Sequence, residues 1–124
     1  MWIARALLFL LVMASLSLAP SPKLSIAASP RFGFAPLSTR VKIQIPSDPN
    51  NKVACFSYDG PQFSSSCWEH TENSPVTTWK IVENLPAGSY QLSISITKSD
   101  GKSQVAHTNV CSLAAGLDTV ECSE

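Results

Sequence analysis

From Tyr90 to Thr97 the chain alternates without a break, with Tyr90, Leu92, Ile94 and Ile96 interleaved with Gln91, Ser93, Ser95 and Thr97. A side-chain period of two is that of a strand with one face on a core and the other in water. Just before it, Pro86 sets φ for a turn and Gly88 tolerates positive φ. Upstream, Val41, Ile43 and Ile45 alternate with Arg40, Lys42 and Gln44 until Pro46 ends the run. Residues 52–58 and 64–69 form two further runs around the turn cluster Asp59, Gly60, Pro61 and Gln62. Residues 77–82 predict a short β-branched strand, with Trp79 and Ile81 sharing a face that is expected to be core.

Asp100 and Gly101 signal a tight hairpin that returns residues 104–110 onto the Tyr90 strand. A plain two-residue loop would turn His107 and Asn109 inward. A one-residue bulge brings Ala106, Thr108 and Val110 inward instead, and it is preferred because a buried polar group without a partner costs about 1–3 kcal/mol. A final strand or extended tail is expected over 117–122. No helical periodicity follows Pro20, so the pattern predicts an all-β chain, an antiparallel β-sandwich of about seven strands after an N-terminal signal helix.

That helix reads as an export signal, with Arg5 preceding the apolar run from Leu7 to Ala19, which is too short to span a bilayer comfortably. The expected organisation is a signal peptide or signal anchor over 1–28, a Pro/Ser-rich linker over 29–39 and the sandwich over 40–124. A cut is expected near Ala27 or Ala28, giving a secreted, extracellular protein. An uncleaved segment would anchor it in the secretory-pathway membrane, and only then does the membrane become a partner.

Nine basic and nine acidic residues balance to zero formal charge and form no basic patch, which excludes nucleic acid as an expected partner. The four cysteines, Cys55, Cys67, Cys111 and Cys122, all follow the export segment and read as disulfides in an oxidising compartment. Of three connectivities, spacing favours Cys55 with Cys67 across the hairpin at Pro61, which leaves Cys111 with Cys122. Neither the cysteine spacings nor His70 and His107 match a zinc site, so no metal and no cofactor are expected.

The segment Leu85, Pro86, Ala87, Gly88, Ser89, Tyr90 resembles the corner between the fifth and sixth strands of immunoglobulin and fibronectin type III domains. The resemblance implies a tyrosine hydroxyl bonded back to the main chain. Together with residues 53–60 and 99–102, the segment is also similar to small accessory sandwich domains beside glycosyltransferase or methyltransferase domains in algal secretory proteins. No cysteine lies two residues after Tyr90, so the immunoglobulin core disulfide is not implied. Fold alone carries no function.

Candidate contact residues are Trp68, Glu69, His70 and Glu72, where an indole adjoins an acid and imidazole cluster, and Asp59 in the neighbouring turn. The end loops 47–51, 59–64 and 69–75 are the expected contact surface. Asp48, Asp59 and Asp100 would make a calcium site only if the fold converged them, and each is equally a turn residue. No nucleophile motif is present, and a small all-strand chain has little means of enclosing a water-excluding pocket. The sequence therefore points to a non-enzymatic secreted or lumenal binding module for a glycan or protein. Two other readings stay open, a small hydrolase or enzyme inhibitor acting through Trp68 to Glu72, and a spacer fragment without a ligand.

Overall fold

The computed structural model describes residues 23–114. Residues 1–22 of the expected export segment, the tail strand expected over 117–122, and Cys122 lie outside the described residues. Within them the chain forms eight strands and no helix: β1 (Ser25–Ser29), β2 (Phe32–Phe34), β3 (Leu37–Gln44), β4 (Asn51–Asp59), β5 (Phe63–Glu69), β6 (Thr77–Leu85), β7 (Gly88–Lys98) and β8 (Ser103–Leu113). One sheet has the order β1-β3-β6, the other β2-β8-β7-β4-β5. All pairings are antiparallel except that of β2 with β8.

The alternating runs meet between the sheets. Val41 and Ile43 from β3, Ala54 and Phe56 from β4, and Tyr90, Leu92, Ile94 and Ile96 from β7 pack into one core with Ala28, Leu37, Ile45, Val82, Leu85 and Val110. Three buried polar side chains are satisfied by main-chain carbonyls: Thr39 Oγ1 donates to Pro30 O (2.8 Å), Asn51 Nδ2 to Pro46 O (3.0 Å) and Ser112 Oγ to Leu85 O (2.9 Å). Unpaired in an apolar interior, each would be destabilising by about 1–3 kcal/mol.

The β7–β8 hairpin takes the bulged form. Gly101 N–H donates to Lys98 O and Lys98 N–H to Lys102 O, at 3.0 and 2.8 Å, with Gly101 at φ 86°. That geometry is a type I turn followed by a left-handed glycine. The resulting register sets Ala106, Thr108 and Val110 opposite Ile94, Leu92 and Tyr90. The tyrosine corner is also present, with Tyr90 Oη donating to Pro86 O at 2.8 Å. Strand order and corner together make this a fibronectin type III-like sandwich.

The structure differs from the sequence reading in three places. Residues 29–39, expected as a linker, carry the end of β1, all of β2 and the start of β3. Pro30 and Pro36 mark the points where the chain crosses from one sheet to the other and back, rather than a break in pairing. Ala27 and Ala28, the expected cleavage position, lie in β1 opposite Lys42 and Val41, and Ala28 is buried. A cut there would remove most of that strand.

The third difference concerns β6. Trp79 and Ile81 face outward, 52% and 65% exposed, while Val82 and Leu85 are buried. Val82 pairs with Thr39 but Leu85 with Leu37, so three steps on β6 match two on β3. Asn84, at φ 57°, absorbs the additional residue. Parity counted along β6 therefore reverses at the bulge, and two buried residues of opposite parity both reach the core.

Candidate functional site

Of the sequence-predicted contact residues, Trp68, Glu69, His70 and Glu72 stay together at one end of the sandwich. Asp59 does not join them. It pairs with Phe63, whereas Glu69 pairs with Val53 at the far end of the same ladder. Six residue steps separate the two positions, about 20 Å of strand. Loops 47–51 and 69–75 do meet, through Ser47 Oγ donating to Glu72 O at 3.1 Å and Ile45 N–H to Val76 O at 2.8 Å. Loop 59–64 sits at the opposite end, so the three expected contact loops do not form one surface.

The same separation disposes of a shared carboxylate site. Asp48 pairs with Lys98 at 2.9 Å and accepts Asn50 N–H at 2.8 Å, while Asp100 accepts Lys102 N–H at 2.9 Å. The Lys98 hydrogen bond, then that of Asn50, holds the Asp48 carboxyl below its ordinary range. Among the described residues no group of three or more His, Cys, Asp or Glu is placed to hold a metal ion.

His70 is 1% exposed, and its main-chain N–H donates to Lys52 O at 3.0 Å. Burial lowers the imidazole pKa, which favours the neutral ring. Trp68 is half-buried against the core, opposite Ala54, and the Lys80 ammonium lies 4.5 Å from its ring centroid. Lys80 pairs with Val41 on the inward row of β6, so its stem runs along the gap between the sheets before the charge reaches Trp68. Glu69 and Glu72 are exposed.

Cys55 and Cys67 are bonded to each other, directly opposite in the β4–β5 ladder, with Cα atoms 4.1 Å apart. Cys111 is also disulfide-bonded. A cross-strand contact that the sequence reading did not anticipate is Ser93 Oγ to His107 Nδ1 at 3.0 Å. It lies on the open outer face of the five-stranded sheet, where no carboxylate among the described residues orients the ring.

The more informative surface is the outer face of β1-β3-β6. Lys42 pairs with Trp79 and Arg40 with Ile81. The Arg40 guanidinium lies 4.7 Å from the Trp79 ring centroid and the Lys42 ammonium 5.8 Å. Two cations and two exposed apolar side chains thus share a rigid sheet face. The polar row Arg40, Lys42, Gln44 was legible in the sequence. That Trp79 and Ile81 lie beside it follows only from the β3–β6 register.

Among the described residues β6 is an edge strand, and its edge is guarded differently from its face. Lys80 points inward from the middle of this edge strand, and a strand added there would trap its charge. The edge is therefore disfavoured for pairing, while the face stays open. Among the described residues no helix is long and apolar enough to cross a membrane.

No protein-family model and no curated protein matches the chain. Among solved structures, it is similar to the fn3 domain of human collagen alpha-1(XX), with 16% identity and a TM-score of 0.49 over 87% of this chain and 95% of that one.

Proposed function

We propose that this chain is a non-catalytic binding module of an exported protein, whose ligand is a glycan or another protein. One observation carries the reading: Trp79 and Ile81 are held outward on a rigid sheet, beside Arg40 and Lys42, where burying them in a partner would be favourable. Export is supported by the apolar run from Leu7 to Ala19 and by the Cys55–Cys67 disulfide. Hydrolysis with His70 of the Trp68 to Glu72 loop as the acid–base group would require an accessible imidazole, and His70 is buried.

The test is to probe the full chain and its Trp79→Ala variant against a glycan array and a peptide array. Binding by the native chain that falls by about tenfold or more in the variant is the expected result. No binding on either array at millimolar sensitivity rejects the reading.

A further inference from the structure

We infer that the outer face of the three-stranded sheet docks a protein segment presenting a carboxylate beside an apolar side chain. Trp79 and Ile81 take the apolar group, and Arg40 and Lys42 take the carboxylate. The inference rests on the binding-module reading and narrows its ligand to one class.

Two features select protein over glycan. A neutral sugar stacked on the Trp79 indole would leave the Arg40 and Lys42 charges beside it without a counter-charge, whereas a protein segment can bring a carboxylate and an apolar side chain together. Ile81, 65% exposed, has no flat face to offer a sugar, yet it suits an aliphatic or aromatic side chain of a protein. Tryptophan and arginine are also the residues that dominate protein interface energetics.

Charge then sets the occupant's polarity. The Arg40 guanidinium, 4.7 Å from the Trp79 ring centroid, is a planar fork that suits a carboxylate in a bidentate hydrogen bond. The cation–π contact also restrains Arg40, so less side-chain entropy remains to be lost when the carboxylate arrives. Glu83, exposed beyond Ile81 along β6, repels a second acid at that end. Toward the other end, Gln44 bonds Ser25 at 3.2 Å and pairs with Thr77, presenting neutral polar groups. The occupant's acid therefore lies over Arg40 and Lys42, and its apolar group over Trp79 and Ile81. Docking is to the face rather than the edge, because Lys80 blocks an added strand.

The test titrates the full chain by NMR with synthetic peptides carrying Asp or Glu next to Leu, Ile or Phe in a Gly/Ser background. Matched peptides replace the acid by Lys or the apolar residue by Ala, and oligogalacturonate serves as an acidic glycan probe. The expected result is shift changes at Arg40, Lys42, Trp79 and Ile81 with the acid-plus-apolar peptides only. Affinity should fall by about tenfold or more in both Trp79→Ala and Arg40→Glu, and stay level in Val105→Ser on the opposite sheet. Oligogalacturonate binding tighter than the peptides through Trp79 would overturn the inference and leave the module reading intact. So would peptide binding unaffected by the Trp79 and Arg40 changes. No shift with any probe at millimolar concentration overturns the inference, and the module reading falls with it only if both arrays are also empty. Arg40→Glu alters an exposed residue, which keeps the test open if Trp79→Ala impairs folding.

Discussion

Ile81→Thr and Val82→Thr make the same kind of change at adjacent residues of β6 and should have opposite consequences. Val82 is 5% exposed and packs in the core, so a threonine there replaces a buried methyl by a hydroxyl of almost the same volume. No cavity opens, and the cost is that of burying a polar group, about 1–3 kcal/mol. Ile81 is 65% exposed, and threonine keeps its β-branching, so its replacement should stay within about 0.5 kcal/mol of neutral. In a domain of this size a loss of about 2 kcal/mol moves the urea midpoint by about 1–2 M and the melting temperature by about 8–16 °C. Urea titration followed by circular dichroism reads both variants under one condition, and unchanged m-values confirm that the two-state treatment holds. If Ile81→Thr proves the more damaging, the bulge at Asn84 and the outward placement of Trp79 and Ile81 are wrong. The proposed docking face would be lost with them.

Three further outcomes are expected. Replacing Cys55 and Cys67 together by serine should cost about 3 kcal/mol, the chain-entropy value for a loop of this length, and denaturant melts of the oxidised and double-serine proteins would measure it. Burial lowers the His70 pKa below its unfolded value of 6.5, so the neutral ring contributes stability fully present above that pH and lost as pH falls through the folded pKa. Urea midpoints should therefore drop on acidification below about pH 6.5, and His70→Gln should flatten that part of the profile; an equal slope in the variant would contradict the assignment. Tyr90→Phe removes the 2.8 Å bond to Pro86 O and should cost about 0.5–1.5 kcal/mol in the same assay, whereas a neutral result would mean that the corner hydroxyl contributes nothing.

Most strands were legible because their signals are local. Leu92, Ile94 and Ile96 alternate over a span shorter than the strand they form, and the turn residues at Pro86 and Gly101 act on their own backbone angles. Burial cost alone also settled the hairpin register, since only the bulged loop kept His107 outward. Cys55 and Cys67 were paired correctly because a hairpin fixes which residues lie opposite each other.

What the sequence by itself determined was therefore strands β3 to β8, the turns that punctuate them and the core-facing rows of β3, β7 and β8, whereas β1 and β2 went unread. The tertiary structure alone decided where β6 reverses its phase, that residues 29–39 join both sheets, and that Asp59 lies at the opposite end from His70. It also decided which residues share the candidate face. Arg40 and Trp79 are far apart in the chain, and their proximity depends on register between strands, which no local preference encodes. Residues 77–82 pair with β3 in unbroken register, so Trp79 and Ile81 face outward because that register sets Lys80 and Val82 opposite the buried Val41 and Thr39, and the bulge at Asn84 then returns Leu85 to the core.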